Sequence, residues 1–437
     1  MNSVVQLELP NISEPLTYHD VERGGFFALL FQRPDGKKQQ SYRVAEMPQV
    51  LCSLDYTIDT WMSQAEFIKA NRRIVNLDKV GLLFVDLDVH TLPNLRDKSP
   101  EGLTWALIEF CRQEGLPPPS LVLFSGRGLY AKWILTTPVP RQALPRWNAC
   151  QRELVNRLSE FGADTGAKDA SRVLRIVNTV NSKSGERVRV VHVNGSMDNP
   201  LRYNFEELCE TLLPFSREEL EKKRKNKLET RKGGKNSNLR GFSGNRLAWD
   251  RLEDLRKLGL LRGGIKEGER MRHLFWHLNF LLLSGATHSS QMWYEAVALA
   301  REIDPNWNVC TPELSTLYWK AKAYNAGEKV EFDGKLHPPL YTPRNDTLIN
   351  LFGITDDEQK QLRTIISETE RHKRELERDE ARRRAKGAIA RAEYEGKVRK
   401  DELREQIKKL NDEGLSQRKI ATQLGISQPR VNKLLRG

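Results

Sequence analysis

The segment Val80-Gly-Leu-Leu-Phe-Val-Asp-Leu-Asp-Val-His90 constrains the fold more than any other part of the chain. An apolar run of this length reads as a strand covered on both faces. Side chains alternate along a strand, so Asp86 and Asp88 project from the same side at its end. Two such carboxylates repel each other unless water or a hard divalent cation lies between them. Mg²⁺ and Mn²⁺ take oxygen ligands, often one or two carboxylates plus substrate phosphates. An enzyme of phosphoryl transfer is therefore the first expectation. The plain alternative is that Asp at a strand end simply begins a turn, and the residues downstream have to decide.

The chain has 437 residues, which implies several units. Its 71 Lys and Arg against 58 Asp and Glu give a net charge of +13. Such an excess suits a polyanionic partner, nucleic acid before an acidic membrane surface. Cys52, Cys111, Cys150, Cys209 and Cys310 form no Cys-x-x-Cys pair, which argues against a structural zinc site and a disulfide framework. The longest apolar run, near Leu278 to Leu283, is far too short to span a membrane. A cytoplasmic protein with no membrane partner is expected.

Residues 1–215 read as an α+β unit in which strands alternate with helices that pack on a mixed sheet. Gly25 to Phe31 reads as a strand, followed by a Pro34-Asp-Gly-Lys turn. Ser63 to Ala70 reads as a helix, with Ser63 as N-cap and Glu66 closing a capping box. Thr104 to Glu114 and Arg141 to Phe161 read as helices. Leu121 to Phe124, Tyr130 to Leu135 and Arg187 to Val193 read as strands. Residues 216–240 form a basic linker, with ten Lys or Arg against four Glu between Arg217 and Arg240. Residues 241–345 read as a helical accessory domain, with Leu274, Leu278, Leu281 and Leu282 on a core face. Residues 346–402 carry a charged helix from about 355 to 400, polar nearly all round and suited to a solvated spacer.

Residues 403–437 read as a helix-turn-helix. Leu403 to Leu410 is the first helix and Gly414 stops it. Ser416 caps the second, Gln417 to Leu424. Gly425-Ile-Ser427 makes the turn, and Gln428 to Leu435 is the third. Ile420, Ala421, Leu424, Ile426, Val431 and Leu434 supply the core. Gln428, Arg430, Asn432 and Lys433 on the third helix suit base edges or phosphates of duplex DNA. A protein-docking three-helix bundle is the alternative.

Two further segments carry chemistry. In Ser125-Gly-Arg-Gly-Leu-Tyr130 the glycines let backbone amides approach a phosphate, and Arg127 adds a charged fork. Lys132 follows on the same strand face as Tyr130. In Lys168 to Lys183, Asp169 stands among Arg172, Arg175, Asn181 and Lys183. One acid among phosphate-compatible donors fits a triphosphate site that also holds metal, whereas a solvated charge run would not interleave Val173, Leu174, Ile176 and Val177 so regularly.

The three segments together resemble the archaeo-eukaryotic primase superfamily, above all the replication primases and primase-polymerases of plasmids and other mobile elements. Its members share an Asp-x-Asp strand, a Ser-x-His-type turn, and a third acidic residue before an Arg-rich segment ending in Pro-Gly-Thr-x-Asn. Asp86 and Asp88, Ser125 to Tyr130, and Asp169 to Asn181 are the counterparts. Glu267 to Phe275 is similar to the start of the helical domain that follows the catalytic unit. Two positions depart from the pattern: Tyr130 stands where many members have His, and Ile176-Val-Asn-Thr replaces Leu-Pro-Gly-Thr.

The resemblance implies a catalytic domain with an RRM-like core, an all-α domain and then the helix-turn-helix. It implies primer synthesis from NTP or dNTP on a single-stranded DNA template, with two Mg²⁺ or Mn²⁺ held by Asp86, Asp88 and Asp169. Asp164 is the rival for the third place. Ser125, Arg127, Tyr130, Lys132, Arg172, Arg175, Asn181 and Lys183 become nucleotide contacts. The chain has no GxxxxGK[ST] loop, so a separate replicative helicase is expected. Two other readings stay open at this point. One is a non-catalytic origin-binding initiator or repressor with a decayed primase-like domain. The other is a metal-dependent nuclease; a relaxase is poorly supported, because the eight histidines include no His-hydrophobic-His pair.

Overall fold

The computed structural model describes residues 14–22, 24–213, 237–309, 312–332, 334–385 and 391–436, and only the backbone for 237–243, 332, 335, 391–398 and 436. Most of the expected basic linker, 216–240, lies outside the described residues, as does Cys310. The chain divides into two compact units, Met1–Leu348 with Gln361–Ile365, and Ile349–Lys360 with Ile366–Gly437.

The first unit is built on one sheet. Its early strands are β1 (Phe26–Arg33), β2 (Gly36–Arg43), β3 (Thr60–Ser63), β4 (Ala65–Phe67) and β5 (Leu77–Leu87), with helix α1 (Met47–Cys52) between β2 and β3. Then come α2 (Pro100–Gln113), β6 (Leu121–Phe124), β7 (Leu129–Pro140), α3 (Leu144–Arg157), β8 (Val173–Arg175), β9 (Arg189–Val193), β10 (Arg202–Tyr203) and α4 (Phe205–Leu212). The order across the sheet is β8-β3-β1-β4-β5-β7-β6-β9, with β2 on β1 and β10 on β7. The pairings are antiparallel except β10 with β7, so the sheet is mixed.

β5 owes its place to its apolar run. Leu82, Leu83, Phe84 and Val85 are fully buried; each is worth about 1.5–3 kcal/mol over exposure. Helix α3 covers one face, where Trp147 Nε1 donates to the Leu82 carbonyl at 2.9 Å. Gly81 is required by a close approach, because a Cβ there would lie 2.1 Å from the Tyr18 carbonyl oxygen.

The expected helix from Ser63 to Ala70 is instead the end of β3 and all of β4. Ser63 and Glu66 match a capping box only locally. Glu66 is buried and pairs with Lys79 at 3.0 Å and His19 at 3.4 Å, partners that lie far off in sequence.

Helices then continue the same unit: α5 (Ser237–Leu261), α6 (Arg270–Leu283), α7 (Met292–Ile303) and α8 (Ser315–Asn325), followed by the hairpin of β11 (Val330–Phe332) and β12 (Lys335–His337). Trp249, Leu252, Leu255 and Leu258 of α5 and Leu274, Leu278, Leu281 and Leu282 of α6 are buried. Two polar clamps bind these helices to the sheet. Arg141 pairs with Glu253 at 2.7 Å. Glu295 accepts the Ile74 and Val75 amides at 2.9 and 3.2 Å; burial pushes its carboxyl up to about 7 against those two donors. The catalytic and accessory segments read separately in the sequence thus share one unit.

The second unit takes in the end of α9 (Asn345–Phe352), most of α10 (Asp356–Gln361), α11 (Glu368–Ala385), α12 (Arg391–Asp412), α13 (Gln417–Leu424) and α14 (Gln428–Arg436). The charged helix expected from 355 is broken between Gln361 and Glu368. Ser367 Oγ accepts the Glu370 amide at 3.2 Å and so restarts the helix. No residue of α11 is buried. Ile407, Ile420, Ala421, Val431 and Leu434 form the core of the last three helices, and Gly425 closes α13 at φ 64°.

Candidate active site

The sheet registers explain which side chains meet. Asp86 of β5 lies opposite Tyr130 of β7. Trp61 of β3 lies opposite Leu30 of β1 on one side and Arg175 of β8 on the other. Residues directly opposite in an antiparallel pair share a face. All five line one cavity of about 320 Å³, together with Lys37, Arg72, Asp169, Ser171, Arg172, Val173 and Gln291.

Asp86 is the central group. Burial first, and the neighbouring Asp88 second, push its carboxyl up to about 7, while Arg172 works in the other direction. Asp88 follows at the strand end, its side chain 47 % exposed. The two other acids differ in setting. Asp164 donates its amide to the Asp86 carbonyl at 2.8 Å, and its carboxylate accepts Arg172 at 3.0 Å. Asp169 lies in the cavity wall and turns its Oδ1 back to the Ser171 amide and hydroxyl at 3.1 and 2.6 Å. Among the described residues, no group of three or more His, Cys, Asp or Glu stands ready to hold a metal.

The cations are held by groups that the sequence reading missed. Asp59, 4 % exposed, accepts Arg175 Nε at 2.9 Å on one oxygen and the Ser182 amide at 3.1 Å on the other. Burial pushes the Asp59 carboxyl up, but these donors outweigh it and hold it below the usual range. Arg175 also stands beside the Tyr130 hydroxyl and lies 4.9 Å from the Trp61 ring, which Lys37 approaches at 4.4 Å. Arg72 donates to the Ser171 carbonyl and to Gln39; burial, then Arg73, lowers it to about 10. Asp59, Trp61, Arg72 and Lys37 sit in unremarkable local sequence, and only pairing between distant strands reveals them.

The expected nucleotide contacts divide. Tyr130, Arg172 and Arg175 line the cavity. Burial, then the Asp86 charge, drives the Tyr130 hydroxyl up, so it stays neutral. Arg127 and Lys183 are exposed. Ser125 and Asn181 are buried and close the turn itself. Ser125 Oγ accepts the Gly128 amide at 3.1 Å, and Asn181 Nδ2 donates to the Ser125 carbonyl at 2.9 Å. The glycines serve packing as well: a Cβ on Gly128 would lie 2.2 Å from the Leu87 carbonyl oxygen. Lys132 requires correction as a phosphate contact. Its ammonium is buried, bonded to Glu14 at 2.7 Å and the Tyr18 hydroxyl at 3.1 Å.

The Ile176-Val-Asn-Thr departure resolves simply. Asn178 has φ 73°, the one positive φ outside glycine among the described residues. Asn tolerates this left-handed conformation better than other side chains. It stands where the pattern has Gly, the residue that takes a positive φ most readily.

In the second unit Gln428, Arg430 and Lys433 of α14 are exposed and Asn432 is half-buried. Val431 and Leu434 point into the core.

No protein-family model matches the chain. Among solved structures, the chain is similar to the primase-polymerase AEP domain of cyanophage S-2L, at 19% identity and TM-score 0.32, over 44% of this chain and 90% of that one. It is also similar to the catalytic domain of primase RepB′ in complex with initiator DNA, at 12% identity and TM-score 0.30, over 51% of this chain and 98% of that one. A replication protein of Clostridium perfringens is 30% identical over 333 residues, which span 76% of this chain and 73% of that protein. On that identity and span, the chain belongs to the family of the Clostridium perfringens replication protein.

Proposed function

We propose that this protein is a DNA primase or primase-polymerase that makes primers on single-stranded DNA to start replication of a plasmid or other mobile element. One observation carries the reading. A carboxyl held near 7 by burial and a second carboxylate faces a cavity lined by Arg72, Arg172, Arg175 and Lys37. Opposed charges of this kind suit a metal-bound triphosphate better than they suit a stable empty core.

The donor set fits Mg²⁺ or Mn²⁺. Asp86 and Asp88 offer hard oxygen ligands whose mutual repulsion a divalent cation relieves, and phosphate oxygens and water complete such a shell. Bound there, the cations supply Lewis-acid stabilisation of the triphosphate and a more acidic attacking 3′-hydroxyl. We infer Asp164 for the third place ahead of Asp169, because its backbone is tied to Asp86 and its charge acts on the Asp86 carboxyl; both carboxylates already accept a backbone amide, from Gly166 and Ser171 respectively. To serve, Asp164 exchanges its Arg172 partner for the cation.

The chain's own residues do the rest. Arg172, Arg175, Arg72 and Lys37 neutralise the triphosphate and the charge that builds on the leaving pyrophosphate. Asp59 holds the Arg175 fork in place. Tyr130, neutral and buried, walls the site beside Asp86 and orients Arg175. The last three helices recruit the enzyme to duplex DNA through Gln428, Arg430, Asn432 and Lys433, and a separate helicase unwinds it.

Primer synthesis on a random single-stranded template, with ribo- and deoxynucleotides in turn, tests the reading. Oligonucleotides are expected with Mg²⁺ or Mn²⁺ and none from Asp86→Ala/Asp88→Ala. Synthesis by that double variant refutes it. A decayed, non-catalytic domain would show no metal-dependent nucleotide binding at all.

A further inference from the structure

Six side chains on or beside α7 and α8 fall in two groups, joined where Trp293 and Tyr294 are consecutive, that the reaction above does not use. The Trp293 ring stacks on Tyr318 at 5.6 Å, and Tyr318 meets Trp319 edge-on at 5.5 Å. Tyr294 and Trp319 are 56% and 62% exposed. Each exposed ring carries a cation: the Arg73 guanidinium lies 4.6 Å from Tyr294, and the Lys322 ammonium 5.1 Å from Trp319. Rings open to water and interleaved with cations are what a single strand needs. Bases stack on the rings while phosphates meet the charges.

The position adds a second argument. Arg72, next to Arg73, and Gln291, just before α7, both line the Asp86 cavity. The surface therefore begins within a few residues of the cavity wall. The cations on the rings and the net charge of +13 favour a polyanion over an apolar protein partner.

We infer that a single-stranded DNA template runs from the cavity across this surface, stacking bases on Tyr294 and Trp319 and setting phosphates against Arg73 and Lys322. The assignment of the strand as template rests on the primase reading; the stacking surface does not. Stacking tolerates every base, so this contact contributes affinity without sequence preference.

The test titrates the full-length protein with a short labelled DNA strand of mixed sequence, with unlabelled duplex in excess to occupy the C-terminal helices. Tyr294→Ala/Trp319→Ala is expected to weaken binding about 30-fold or more and to leave metal-dependent nucleotide binding unchanged. Tyr294→Phe/Trp319→Phe is expected to bind like the parent, which separates stacking from folding if the alanine variant is unstable. Arg73→Gln/Lys322→Gln is expected to reduce the slope of log affinity against log salt by roughly 1.4. Parental affinity in the alanine variant, or weak binding by the phenylalanine variant, overturns the inference. So does an alanine variant that changes only self-association in sedimentation, because the surface then belongs to a second copy. If the parent makes no primers yet the alanine variant loses the strand, the surface stands and the catalytic reading falls.

Discussion

The Asp164 amide donates to the Asp86 carbonyl at 2.8 Å, so the chain returns to the end of β5 some eighty residues after leaving it. That contact fixes the Asp164 backbone at the end of β5, and its charge acts on the Asp86 carboxyl. Asp164→Asn is expected to cut primer synthesis at least ~100-fold, in keeping with loss of a group acting on transition-state charge. Asp169→Asn is expected to cost less than about tenfold, by loosening the Ser171 turn. Steady-state incorporation rates for the two variants decide between the acids; the reverse order assigns the third place to Asp169.

Asp86 carries a pH signature. Its folded pKa of about 7 lies above the unfolded value, so the stability it contributes is present at low pH and is lost as pH rises toward 7. Asp86→Asn removes that dependence. The variant is expected to exceed the parent in stability by about 1–3 kcal/mol above pH 7, with the difference vanishing near pH 4. Urea titrations across pH measure it. A cation competes with the same proton, so metal-dependent nucleotide binding is expected to weaken ~tenfold per pH unit below 7.

Lys132 and Glu14 form a buried ion pair with both side chains nearly inaccessible, 1% and 2%. Lys132→Met leaves Glu14 buried without its partner and is expected to cost about 3–5 kcal/mol. Glu14→Gln/Lys132→Met is expected to regain part of this. Equilibrium denaturation of the set checks it. The single variant, where folded, is expected to bind nucleotide like the parent; a selective loss of nucleotide affinity at unchanged stability would return Lys132 to the site.

Asn178 offers a cleaner backbone test. Asn178→Gly is expected to hold stability within ~0.5 kcal/mol, since glycine takes φ 73° freely. Asn178→Val is expected to lose about 1–2 kcal/mol or more, because a branched side chain resists the left-handed region. Thermal melts of the two variants, side by side, measure the difference.

Much of the fold was legible where signals are local. The apolar run ending in Asp86 and Asp88 gave β5, since a strand buried on both faces needs such a run. The last two helices were read nearly to the residue and the end of the one before them to within two, because Gly414 and Gly425 stop helices through their own φ of 83° and 64°, whereas that earlier helix begins at Arg391 and not at Leu403. The same locality misled at Ser63 to Ala70, where an S-x-x-E spacing imitated a helix start. Burial of Glu66 against His19 and Lys79 outweighs that local preference.

The site divides along the same line. The sequence by itself marked the acids and the arginines of the Lys168 to Lys183 segment as candidates, because their chemistry shows in residue type and spacing. Tertiary structure alone decided which of them meet. Antiparallel registers set Trp61 against Arg175 and Asp86 against Tyr130. A covering turn withdraws Lys132 into a pair with Glu14. Strand pairing and burial depend on residues far apart in the chain, and no short-range pattern encodes them.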